Sequence, residues 1–165
     1  MILHEYYMRK VLISACLLGD KVRYDGRHNL LDHPVIERWR KQGRLVTVCP
    51  ETLGGLPTPR PPAETQTRFP ILITTSSGED VTPEFLSGAE KTLELAHRHD
   101  CCCALMKARS PSCGNQEIYD GSFSGTLTSA PGVAAGELIR HGLPVFNELQ
   151  LEQLIQFVEQ HSQAA

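Results

Sequence analysis

Three cysteines, Cys16, Cys49 and Cys113, are the residues whose type and placement first point to chemistry. Each lies just beyond a short apolar run, where turn-forming residues begin: Val11 to Ile13 precede the first, Leu45 to Val48 the second, and the run from Cys101 to Met106 the loop that holds the third. In an open parallel sheet the ligand crevice lies outside the carboxyl ends of the strands. Cysteines leaving three such ends therefore converge on one site, however far apart they are in sequence. Three thiolates together suit a thiophilic metal or an iron–sulfur cluster, because soft sulfur ligands select zinc, copper(I) and Fe–S centres. A closed structural zinc site takes four protein ligands, and this set has no fourth cysteine. An open coordination position points to reactivity.

Other groups with acid–base or binding potential stand beside these cysteines. Glu51 is two residues past Cys49, and Ser110 and Ser112 flank Pro111 just before Cys113. Proximity comes first for a general acid or base, and a tuned pKa second. Arg60, Lys107 and Arg109 bring positive charge to the same loops, where they could offset thiolate charge or orient a substrate. Each has a plainer reading: a solvated loop carboxylate, serines serving turn geometry, a solvated basic rim. Cysteine is itself a common core residue. Cys101, Cys102 and Cys103 fit that reading, since residues alternating across a strand cannot all face one metal. The seven histidines show no paired metal spacing.

The elements that must position these residues follow from pattern and punctuation. Val11 to Ile13 form a buried strand that exits into a loop near Cys16. Asp32 or His33 caps a helix opened by Pro34 and closed by Gly43. Leu45 to Val48 form a second strand. The segment GGLPTPRPP at 54–62 contains four prolines and reads as a stiff extended loop. Phe69 to Thr75 is extended, with its pairing left open. Phe85, Ala89, Leu93 and Ala96 recur at helical spacing and predict an amphipathic helix over 83–99 capped by Thr82. A third strand over 101–106, a helix over 131–140, a fourth strand over 143–146 and a terminal helix carrying Leu151, Leu154, Ile155 and Val158 complete the alternation. The expected class is α/β: a single domain with a mostly parallel, doubly wound sheet of Rossmann or flavodoxin-like type and helices on both faces. Residues 1–8 are expected to form an N-terminal extension, with the true start at Met1 or Met8, 9–160 the domain, and 161–165 a frayed tail.

Composition bounds the partners. A chain of 165 residues, 41% hydrophobic and 21% charged, supports a core without disulfide staples, so its six cysteines are free for other use. MILHEYYMRK lacks the build of a secretory signal, and no apolar run is long enough to span a bilayer, which predicts a cytoplasmic protein without a membrane partner. A net charge of -3 argues against long nucleic acid, whose binding needs a broad basic surface. A monomer or weak homo-oligomer is expected.

Four segments carry a family resemblance: SACLLGDKVRYDG at 14–26, VCPETLGGLPTPRPPAE at 48–64, KARSPSCG at 107–114 and YDGSFSGTL at 119–127. The sequence resembles the bacterial thiouracil desulfurases, long classed as a domain of unknown function, from about Val11 to Asn147. The resemblance implies a 4Fe-4S cluster held by only three cysteines, Cys16, Cys49 and Cys113, with one iron open to the substrate's sulfur. It implies non-redox removal of sulfur from a thiolated pyrimidine, a small-molecule partner, giving the oxo base and hydrogen sulfide. Glu51 matches the acid of the CPE element and Ser110 the first serine of SPSC, the two catalytic candidates. Ser112 looks like a local hydrogen-bond partner and, with Arg60 and Lys107, a candidate substrate contact.

Two other functions fit the same cysteines: a sulfur-handling enzyme directed at tRNA, and a non-enzymatic module that delivers sulfide or a cluster. A carrier needs thiolates but neither an acid nor a hydroxyl. Serine at Cys16, Cys49 or Cys113 should remove the cluster or its activity on anaerobic reconstitution, whereas Cys102→Ser should leave iron content largely intact. Iron and acid-labile sulfide analysis of the four variants checks this.

Overall fold

The computed structural model describes residues 9–162; the expected N-terminal extension and residues 163–165 lie outside them. Four parallel strands form the central sheet: β1 (Lys10–Ser14), β2 (Leu45–Val48), β5 (Cys101–Leu105) and β8 (Val145–Phe146), in the order β2-β1-β5-β8. The strand order reverses between β1 and β5, which makes their carboxyl ends the switch point of a doubly wound sheet. Register places these ends level, with Ser14 opposite Val48 and Ile13 opposite Leu105. All five residues of β5 are buried, as a strand covered on both faces requires.

The helices divide between the faces. On one, α1 (Pro34–Lys41) and α5 (Leu151–Ser162) supply Ile36, Trp39, Leu154 and Val158 to a core with Val11, Ile13 and Leu105. On the other, α3 (Thr82–Arg98) and α4 (Val133–Arg140) supply Ala96 and Leu138 against Leu12, Ala104 and Met106. Trp39 and Leu154 are each worth roughly 1.5–3 kcal/mol or more when fully buried in such a layer. The expected single α/β domain with helices on both faces is the observed architecture.

Local chemistry explains where the elements depart from expectation. The helix over 82–98 is not capped by Thr82. Asp80 Oδ1 accepts from the Thr82 amide at 2.9 Å, while the Thr82 hydroxyl accepts from Ile73 N at 2.8 Å and so stitches the helix start to β4 (Ile71–Thr75). Of the two candidate caps for α1, His33 does the work, its Nδ1 accepting from Val35 N at 3.1 Å. The strand cysteines do not simply alternate. Lys10 pairs with Cys101 but Val11 with Cys103, so Cys102 is the extra residue of a bulge and both Cys102 and Cys103 join the α1/α5 core, with sulfurs 3.8 Å apart. They remain packing residues.

Two hairpins stand apart from the sheet. β3 (Ala63–Arg68) pairs with β4 antiparallel, which settles the pairing of 71–75, and β6 (Ile118–Tyr119) pairs with β7 (Leu127–Thr128). Neither β3 nor the short β6–β7 ribbon stands out in the sequence, because these residues lack the apolar alternation of a half-buried strand. Downstream, α5 continues through Ser162, into the segment expected to fray, with His161 stacked on Phe157 at a centroid distance of 3.8 Å.

A short helix, α2 (Pro50–Leu53), follows β2 and docks on α3 by backbone contact. A methyl group on Gly88, inside α3, would overlap the carbonyl oxygen of Pro50, and one on Gly54 the carbonyl oxygen of Glu84. Neither oxygen belongs to a flexible side chain, so neither can yield alone. Gly88→Ala should therefore destabilise the protein by about 1–3 kcal/mol despite the better helix propensity of alanine, while Glu90→Ala on the exposed face should change stability by no more than about 0.5 kcal/mol. Urea unfolding of the two variants checks the difference.

Candidate active site

A cavity of about 800 Å³ opens at the carboxyl ends of β1, β2 and β5. That size suits a small-molecule site. Its walls include Cys16, Cys49 and Cys113 together with Glu51, Ser110 and Ser112, so all six residues come to one place.

Each cysteine is held by a different device. Cys16 lies in a turn of 3-10 helix (Ala15–Leu18) where a plain loop was expected, and Gly19, at φ +95°, ends that turn. The Asn29 amide donates to Cys16 Sγ at 3.5 Å, and Arg23 Nη1 fixes Asn29 Oδ1 at 2.8 Å. Burial pushes the Cys16 thiol up; the Asn29 bond works against it. Cys49 occupies the residue before α2, whose first helical position is Pro50. Cys113 is buried, and its loop is clamped by the amino end of α4: Val133 N donates to Pro111 O at 3.0 Å and Ala134 N to Ser112 O at 2.9 Å. This contact demands a glycine at 132, since a Cβ there would lie 2.6 Å from the Ser112 carbonyl carbon.

A chain of polar groups crosses the cavity wall. Arg60 Nε donates to Glu51 Oε1 at 3.0 Å, and Ser112 Oγ donates to Glu51 Oε2 at 2.9 Å. Ser112 Oγ lies 3.0 Å from Ser110 Oγ, which itself accepts from the amides of Ser112 at 3.2 Å and Cys113 at 3.0 Å. With the ionised carboxylate an acceptor only, the order runs Ser110 O–H to Ser112 Oγ, then Ser112 O–H to Glu51. Glu51 is thus no solvated loop carboxylate; its side chain is 14% exposed and Arg60's 5%.

The remaining candidates are in place but engaged. Arg60 also donates to Val22 O at 2.9 Å, Pro57 O at 3.1 Å and Thr58 Oγ1 at 3.0 Å, which makes it the brace of Glu51 and of the proline loop. Lys107 lines the cavity with its ammonium 2.7 Å from Glu148 Oε2. Arg109 pairs with Glu117 at 3.2 Å on the rim. Sequence reasoning missed Asn29 and Ser14; the Ser14 hydroxyl accepts from Lys107 N at 3.0 Å. A lone polar residue, whether in a loop as Asn29 or at a strand end as Ser14, carries no signal of the sulfur it will meet.

The donor set is all sulfur. Among the described residues, no three Cys, His, Asp or Glu side chains converge tightly enough to share one metal ion. Three free thiols spread around one cavity suit a polynuclear iron–sulfur cluster, a body larger than an ion.

A doubly wound sheet whose switch-point cavity gathers thiols, a braced carboxylate and paired hydroxyls has the build of an enzyme for a small molecule. Within that class the chain belongs to the 2-thiouracil desulfurase family, whose model matches residues 11–150. It is 39% identical over 152 residues to the uncharacterized protein YbbK of Bacillus subtilis (strain 168), a match covering 88% of this chain and 99% of YbbK. A solved structure described as the 4Fe-4S-dependent thiouracil desulfidase TudS superposes with a TM-score of 0.86 at 44% identity, over 90% of this chain and 96% of that one. Among the described residues, no helix is long and apolar enough to cross a membrane.

Burial pushes the Cys113 thiol up to about 12, although hydrogen bonds with Ser14 and Ser112 pull the other way. The neutral thiol is therefore the folded form at ordinary pH, and its ionisation above the normal thiol range opposes the metal-free fold. In metal-free protein at pH 8, iodoacetamide should label Cys113 at least about tenfold more slowly than the half-buried Cys49, because the thiolate is the nucleophile. Peptide mass spectrometry follows both.

Proposed function

We propose that this protein removes sulfur from a thiolated pyrimidine such as 2-thiouracil, using a 4Fe-4S cluster held by Cys16, Cys49 and Cys113. The single observation that carries the reading is the meeting of those thiols with the Ser110–Ser112–Glu51 chain in one cavity. Family membership and the likeness to a desulfidase described as 4Fe-4S-dependent support it. Held by these three thiolates, such a cluster would have one iron without a protein ligand and would supply a soft Lewis acid for the substrate's sulfur.

The protein's own groups handle the protons. Exchange of C=S for C=O consumes one water and releases hydrogen sulfide, with no net electron transfer. Ser110, the half-buried end of the chain, takes a proton from the incoming water as its own passes through Ser112 Oγ to Glu51 Oε2. The amides of Ser112 and Cys113 stabilise the negative charge that develops on Ser110 Oγ during this transfer. Arg60 holds Glu51 Oε1, which leaves Oε2 turned to Ser112. The proton returns from Glu51 through Ser112 and Ser110 to the departing sulfur, and the water's second proton, left on the new C–OH, follows through Ser110 as C=O forms, which completes hydrogen sulfide. Lys107 and Ser112 stand on the wall where a pyrimidine would lie. The net charge of -3 favours a free base over long nucleic acid.

Anaerobically reconstituted protein should release sulfide from at least one of 2-thiouracil, 4-thiouracil and thiouridine; no release from any of them would overturn the reading. Glu51→Gln should retain iron and sulfide yet lower turnover by at least roughly a hundredfold, the low end of general acid–base contributions. Parent-like turnover in that variant would remove Glu51 from the proton path.

A further inference from the structure

One loop of the cavity wall has no part in the proton path. The segment 120–126 joins β6 to β7 and brings Phe123 to the cavity, where the residue stays 37% exposed instead of entering any of the three cores. Phe123 has φ +54°, the left-handed region that bulky residues seldom adopt. Such a conformation persists only where neighbours impose it, and such outliers cluster at functional sites.

The neighbours that impose it are specific. Glu64, on β3, accepts with Oε1 from both Gly121 N at 3.0 Å and Phe123 N at 3.1 Å. Gln66 Nε2 donates to Gly121 O at 2.8 Å. Gly121, at φ +97°, approaches β3 so closely that a Cβ would lie 2.8 Å from Thr65 O. Within the loop, hydroxyls link Ser122 to Ser124 at 2.5 Å and Ser124 to Thr126 at 2.8 Å. This pair of charge-assisted hydrogen bonds to Glu64 offsets the strain and keeps Phe123 at the cavity wall. Tyr24, 43% exposed, and Tyr119 also line that wall.

We propose that Phe123 is a specificity-determining residue that stacks on the planar ring of the substrate, and that Glu64 is the residue that positions it. The proposal rests on the reading above, in which a thiolated pyrimidine enters this cavity. An aromatic face accepts any flat, unsaturated ring and gains little from a puckered, saturated one. The loop would therefore select aromatic thiopyrimidines over their 5,6-dihydro counterparts, a distinction that the sulfur chemistry alone does not make.

The test uses the reconstituted full-length enzyme, with sulfide release from 2-thiouracil as the readout and 5,6-dihydro-2-thiouracil as the competing ligand. Phe123→Ala should raise KM for 2-thiouracil roughly tenfold, within the range found when base-stacking aromatics are truncated. It should leave kcat and the inhibition constant of the dihydro compound within about twofold, which flattens the discrimination. Phe123→Tyr should restore both. Glu64→Ala should behave as Phe123→Ala, and Glu64→Gln should restore the parent KM, because the amide oxygen still accepts from both backbone donors. An unchanged KM in Phe123→Ala, or an equal loss of affinity for the flat and the puckered ring, overturns the stacking role. Absence of sulfide release by the parent enzyme instead overturns the functional reading beneath it, so the two failures are distinct.

Discussion

The carboxylate of Glu51 is the point on which the site depends. It bridges Arg60, nine residues on, to Ser112, which is 61 residues away, and so ties α2, the proline loop and the Cys113 loop together. A carboxylate that is nearly buried is costly unless both oxygens are satisfied and a positive charge stands nearby. Arg60 supplies the charge and Ser112 the second bond. The same requirement explains why Arg60 is itself so fully engaged: each of its nitrogens has an oxygen partner, and the guanidinium can brace Glu51 only while Val22, Pro57 and Thr58 brace it.

Close backbone contacts supply the second constraint. Gly54 and Gly88 let α2 lie against α3, and Gly132 lets the amino end of α4 reach the carbonyls of Pro111 and Ser112. Side chains at these positions would move α2 away from β2 or push the Cys113 loop off the sheet. The carboxylate and its serine partner ride on those two pieces, so helix packing some distance from the cavity sets the Glu51–Ser112 distance. Interiors packed to this density transmit such shifts instead of absorbing them.

The cavity joins two kinds of surface. Its floor, at the strand ends, is rigid: β1 and β5 are almost wholly buried and their register leaves no freedom to the residues that follow. Its rim is made from the 20–29 segment, the proline loop and the 120–126 loop, which carry little core and are held by hydrogen bonds. Two of these rim pieces also hold site groups, Asn29 on Cys16 and Arg60 on Glu51, whereas the 120–126 loop is bonded to β3 and to itself and can vary separately, as on other α/β scaffolds where loops carry specificity.

The sequence by itself determined the strand–helix alternation, the sheet class and the three strand exits from which the cysteines emerge, because apolar periodicity, capping residues and Pro/Gly punctuation are local signals. Its motifs also marked Glu51, Ser110 and Ser112 as neighbours of those cysteines. Tertiary structure alone decided that Ser112, not Ser110, meets the carboxylate, that Arg60 spends itself on Glu51, that Asn29 reaches Cys16, and that Cys102 is a bulge residue out of alternation. It also decided that β3 and β4 form their own hairpin and that Glu64 holds Phe123 at the cavity. All of these depend on residues far apart in the chain, whose meeting is fixed by how helices and hairpins dock, and docking leaves no period in the sequence.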